Sequence, residues 1–156
     1  MQIDEPTVGT ASAEGLRFAV LTATFNSSVT DGLRNGAVEF LEDAGAEEVR
    51  LVDAPGAFEL PLLAYALARQ GYDAIVCLGA VIEGDTDHYE HVAHRASEGL
   101  MRVQLETGIP VSFGILTTRK SEDAIARSQP GPNNKGREAA AAAVSTARTL
   151  RTLGTP

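Results

Sequence analysis

The sequence predicts an α/β fold built on a parallel sheet, and three observations carry that reading. Four apolar runs of strand length, at 16–24, 48–54, 73–80 and 109–117, alternate with segments whose apolar residues recur at helical spacing. The run at 16–24 (LRFAVLTAT) is almost continuously apolar, the pattern of a strand buried on both faces. Each connection is long enough to hold a crossover helix, as parallel pairing requires.

Residues 1–15 read as a loose, polar arm, and 16–156 as one domain. After the first strand, Asn26, Ser27 or Ser28 is placed to cap a helix in which Val29, Leu33, Ala37, Phe40, Leu41 and Ala44 share a face. Gly45 stops that helix. The second strand, EVRLVDA, ends at a Pro55-Gly56 turn, and a helix begins near Phe58 or Glu59 with Pro61 in its first turn. The third strand leads through a Gly84-Asp85-Thr86-Asp87 turn into a long helix over 88–107. The fourth precedes a short helix over 121–127. The segment SQPGPNN breaks that helix, and Asn133 or Asn134 caps the last one, whose Ala139 to Ala143 run has the strongest helix preference in the chain. The order gives a three-layer α/β/α sandwich, flavodoxin-like, with a four-stranded parallel sheet flanked by helices.

A chain of 156 residues can bury its own core. A formal net charge of −8 argues against a nucleic-acid surface. The single cysteine, Cys77, lies within a strand, where a packing role and a reducing cytoplasm are expected. No apolar run reaches the roughly 18 residues of a membrane span. No signal peptide is expected, because residues 1–15 lack a basic start and an apolar stretch.

In such a sheet, ligands bind at the carboxyl ends of the strands. That edge gathers Phe25, Ala57-Phe58-Glu59, the stretch from Ala80 to His88, and Phe113 or the residues after it. The start of the 88–107 helix suits an anion, through free N–H groups and the positive end of its dipole. Gly84 lets the backbone approach, Thr86 adds a hydroxyl, and His88 is of the one side-chain type made for proton exchange near neutral pH. An ordinary capped turn explains the same residues. His88, His91 and His94 do not suit one metal ion, since the first and last point about 120° apart on a helix. His91 and His94 read as solvated. No nucleophile elbow and no dinucleotide fingerprint occurs. Phe25 is open to stacking on a planar ring or to a core role. Glu59 is open to accepting polyol hydroxyls or to a surface role, and Arg127 and Lys135 to clamping a phosphate or to solvation.

Taken together, TATFNSSVT, APGAFELP (54–61), LGAVIEGDTDHYEHV (78–92), PVSFGILTT (110–118), Ala126-Arg127 and NKGREAA (134–140) resemble the 6,7-dimethyl-8-ribityllumazine synthases of riboflavin biosynthesis. The pieces stand in that family's order from about residue 16 to 150. The resemblance implies a transferase that condenses 5-amino-6-(D-ribitylamino)uracil with 3,4-dihydroxy-2-butanone 4-phosphate, releasing phosphate and water. By position it implies Phe25 stacked on the pyrimidine and Ala57, Phe58 and Glu59 on the ribityl chain. The backbone of Ala80, Val81 and Ile82 would lie on the uracil edge, and Asp85 and Thr86 on the phosphate. His88 would transfer protons. Phe113, Arg127 and Lys135 would come from the neighbouring subunit of a pentamer.

No metal or organic cofactor is implied. The implied partners are the two small substrates, further copies of the chain and riboflavin synthase. An unchanged linker length before NKG favours pentamers that assemble into a sixty-subunit icosahedral shell over isolated pentamers. Two positions depart from the family. Glu83 stands where Arg or Lys is common, and Asp85 adds a second acid to the phosphate loop. The competing readings are a non-catalytic flavin- or lumazine-binding shell protein, with Glu83 and Asp85 marking lost phosphate binding, and a generic FMN protein.

Overall fold

The computed structural model describes residues 11–154. They form strands β1 (Arg17–Ala23), β2 (Glu48–Ala54), β3 (Ala74–Ile82) and β4 (Val111–Thr118). The helices are α1 (Ser27–Asp43), α2 (Leu60–Ala68), α3 (His88–Thr107), α4 (Ser121–Arg127) and α5 (Lys135–Leu153). A single 3-10 turn, Ala57–Glu59, leads into α2. The sheet is parallel throughout, in the order β2-β1-β3-β4. This is the expected flavodoxin-like arrangement, with β2 and β4 at the edges.

Strand alternation sorts the core into two layers. Phe18, Val20, Val76 and Leu78 face α1 and α5, while Ala19, Leu21, Ile75 and Cys77 face α2 and α3. The central strands are therefore buried on both sides, as continuous apolar runs require. Edge strand β2 is not, and its Leu51 is 53% exposed. The alanines of α5 do more than favour a helix. Ala139, Ala140, Ala143, Val144 and Ala147 are all buried, and small side chains let α5 lie close to the sheet and to α1. The approach is tightest at Gly136, where a Cβ would run into the backbone of Leu33.

Three local expectations change. First, 11–15 are not loose: Ala13 is fully buried, its N–H donates to Ala44 O at 2.8 Å, and Glu14 bridges to Ala46. The rest of the expected arm, 1–10, lies outside the described residues. Second, β3 continues past Ala80 because β4 pairs with it as far as Ile82 and Thr118. Third, the amide of Asn26 does not cap α1. Asn26 sits in the left-handed region at φ 66°, which Asn tolerates better than most residues. Its side chain instead donates to Ala80 O at 3.0 Å.

Candidate active site

β1 ends at Ala23 while β3 runs on to Ile82, and the space beyond the end of β1 is one half of the candidate site. β1 pairs with β3 only as far as Thr22 and Leu78, so the β1-facing side of β3 has no strand partner beyond that point. Ala80 O points to this side and is taken by Asn26, whereas Glu83 N–H points to the other and donates to Thr118 O at 2.9 Å. By strand alternation the peptide groups of Ile82 share the direction of Ala80, and those of Val81 face β4. The N–H of Phe25 donates to Pro55 O at 3.1 Å, which holds Phe25 beside the turn carrying Phe58 and Glu59. Both rings stand in solvent, Phe25 71% and Phe58 61% exposed. Exposed aromatics on either side of one opening are poor core and good stacking surface.

Phe25, Ala57, Phe58, Glu59, His88 and His91 line a cleft of about 570 Å³ here. A smaller recess of about 150 Å³ continues from it to Ala80, Val81 and Ile82, again bounded by Phe25 and His88. His88 is thus common to both spaces. It is the first residue of α3, and its N–H donates to Thr86 Oγ1 at 3.3 Å. Thr86, not Asp87, supplies the local cap. Among the described residues the N–H groups of Asp85 and Thr86 find no hydrogen-bond partner. The loop therefore presents free donors to solvent, although neither residue lines either space. His91 is solvated as expected, its side chain 72% exposed. It borders the larger cleft, with its Nε2 3.4 Å from Asp87 Oδ2. Glu83 turns towards β4, where its carboxylate lies 3.7 Å from Arg119 Nε.

Phe113, Arg127 and Lys135 lie elsewhere. They line a second cleft of about 500 Å³ between edge strand β4 and helices α4 and α5, together with Arg119, Asp123 and Glu138. This cleft shares no lining residue with the first two spaces. Lys135 Nζ pairs with Glu138 at 2.9 Å, and Arg127 Nη1 donates to the Asp123 carbonyl at 3.1 Å. A single chain thus brings together the residues of the first half and, separately, those of the second. Asn26, Tyr89 and Val92 were missed from the sequence as site residues. For Val92, its placement four residues beyond His88, on the same face of the helix, was the available signal. Cys77 takes no part: burial pushes its thiol well above its ordinary range.

The family model for 6,7-dimethyl-8-ribityllumazine synthase matches residues 15–151. The chain is 51% identical over 140 residues to 6,7-dimethyl-8-ribityllumazine synthase 1 of Caulobacter vibrioides, covering 88% of this chain and 92% of that one. It is 43% identical over 153 residues to the 6,7-dimethyl-8-ribityllumazine synthase of Streptomyces coelicolor, covering 97% and 95%. The protein of that name from Nitratidesulfovibrio vulgaris is 45% identical over 148 residues, covering 93% and 95%. A match this long, at this identity and with both chains nearly covered, means that the chain belongs to the 6,7-dimethyl-8-ribityllumazine synthase family.

Proposed function

We propose that this chain condenses 5-amino-6-(D-ribitylamino)uracil with 3,4-dihydroxy-2-butanone 4-phosphate at a site shared between adjacent copies. The first cleft is one wall and the β4–α4–α5 cleft of a neighbour is the other. The single observation that carries the shared site is the separation of the clefts. The aromatic and imidazole groups lie in one and the Arg127 and Lys135 cations in another. In this reading Phe25 stacks on the pyrimidine, the unpaired end of β3 at Ala80 and Ile82, with Asn26 on the Ala80 carbonyl, meets the uracil, and Val81 lines the recess. Ala57, Phe58 and Glu59 hold the ribityl chain, with Glu59 accepting from its hydroxyls. The donors of Asp85 and Thr86 and the neighbour's Arg127 hold the phosphate. Phe113 and Lys135 close the pocket from the neighbour's side.

The chemistry asks for proton shuttling and for holding two reactants together. The amine adds to the ketone, the carbinolamine loses water, phosphate is eliminated, and the ribityl-bearing amine closes the ring on the remaining carbonyl with loss of a second water. His88 exchanges protons between nitrogen, oxygen and carbon along this path, a role typically worth about 10²–10⁴-fold. Co-binding supplies much of the remainder without further reactive groups. In this reading Glu83 faces Arg119, 3.7 Å away, and not the phosphate. The non-catalytic shell-protein alternative finds no support in the relatives, which carry the synthase name.

The assembly is a pentamer that builds the icosahedral shell, riboflavin synthase is its further partner, the domain expected over 16–156 takes in the packed segment 11–15 as well, and the location is cytoplasmic. The last is supported by the one buried thiol and by the lack, among the described residues, of any helix long and apolar enough to cross a membrane. The test is to mix both substrates with purified protein. Fluorescent lumazine and free phosphate should appear together, and binding of a ribityl ring without phosphate release would refute the proposal.

A further inference from the structure

Arg127 ends α4, Lys135 begins α5, and the linker 128–134 between them contains two prolines and a glycine. Such a segment has no repeating structure of its own to fix the spacing of the two cations. One buried side chain does. Asn134 is 2% exposed, and its Nδ2 lies 3.0 Å from Ser128 O, 3.0 Å from Gln129 O and 3.1 Å from Gly32 O. Its Oδ1 accepts from the Arg137 N–H at 3.0 Å, capping α5. Three carbonyls on one side and an N–H on the other leave only one way round for the amide. Two N–H bonds serve three acceptors, so one is shared.

The carbonyls of Ser128 and Gln129 follow directly on Arg127, and the capped helix starts at Lys135. Gly32 anchors the set to α1. The pocket for this amide is cut from α1 itself, since a Cβ on Gly36 would collide with the Asn134 side chain and one on Gly32 with the Ser128 carbonyl.

We propose that Asn134 is a positioning residue for the reaction: its amide fixes the separation of Arg127 and Lys135, and so the fit of their cleft to the phosphorylated substrate. This rests on the assignment of Arg127 to the phosphate. Asn134→Asp keeps the acceptor that caps α5 and loses the donor that tethers the linker. Gly36→Ala approaches the same amide from another element, and as a helical substitution it would otherwise stabilise α1.

The experiment measures KM for each substrate, kcat and native mass, for both variants and for Arg127→Ala. Both variants should raise KM for the phosphorylated ketone on the order of tenfold or more, as a displaced binding group does. KM for the pyrimidine should stay within about twofold and the particle should remain assembled. A fall in melting temperature with both KM values unchanged, or loss of the particle in both variants, would mean that Asn134 only holds the fold, and would overturn the proposal. If Arg127→Ala itself leaves the ketone KM unchanged, the failure lies in the phosphate assignment and not in the positioning.

Discussion

At the scale of single residues, His88 and Arg127 are to be separated by their effects. His88→Ala should slow turnover by about 10²–10⁴-fold and leave the native mass unchanged, because the side chain is exposed on its own chain and lies outside the core. Full activity in that variant would remove the proton-transfer role. Arg127→Ala should raise KM for the phosphorylated ketone more than for the pyrimidine, and steady-state kinetics with each substrate varied in turn would reveal equal effects. Cys77 offers a check on the core. Its thiol is buried in β3 and held neutral by desolvation, so alkylation should be negligible in the folded protein and complete after unfolding. Ready alkylation of the native state would mean that the strand is not buried as described.

At the scale of elements, close approach is what the glycines secure. Gly136 on α5 lies against Leu33 of α1 so tightly that a Cβ would meet backbone, which cannot move aside. Gly136→Ala should therefore destabilise the fold by about 1–3 kcal/mol or more, as overpacking does, despite Ala being the better helix former. Gly84 is its contrast, with nothing within 4 Å of an added Cβ. Gly84→Ala should change stability by less than about 0.5 kcal/mol. Any effect should fall on the phosphorylated substrate, because this loop offers the free N–H donors. Thermal unfolding of the two variants side by side distinguishes a packing glycine from a binding one.

At the scale of the whole molecule, the two clefts of one chain make complementary halves. If catalysis needs the His88 side of one copy and the Arg127 side of another, mixing the slow His88→Ala variant with the weakly binding Arg127→Ala variant should recover activity at ketone concentrations well below the raised KM. Unfolding His88→Ala and Arg127→Ala together and reassembling them at equal concentration should restore about a quarter of the sites, since each site draws independently on two copies. A site contained within one chain would recover none. The native mass, read as a multiple of the 16.4 kDa chain, distinguishes pentamer from shell in the same preparation.

The sequence by itself determined the class, the order of elements and which residue types reach the carboxyl edge of the sheet. Continuous apolar runs, helical spacing and turn residues are local properties, and each pointed to the same element that the chain forms. His88 at the start of α3, and Phe25 and Glu59 at turns after strands, were legible for that reason. Only the tertiary structure decided where non-local groups meet. Asn26 and Asn134 each read as helix caps. One instead reaches across to Ala80, and the other also ties a linker to α1, because a buried amide takes whichever partners the packed backbone brings to it. The turning of Glu83 towards Arg119 and the separation of Arg127 from His88 depend likewise on which strand lies at the edge. That is fixed by sheet order and not by any stretch of sequence read alone.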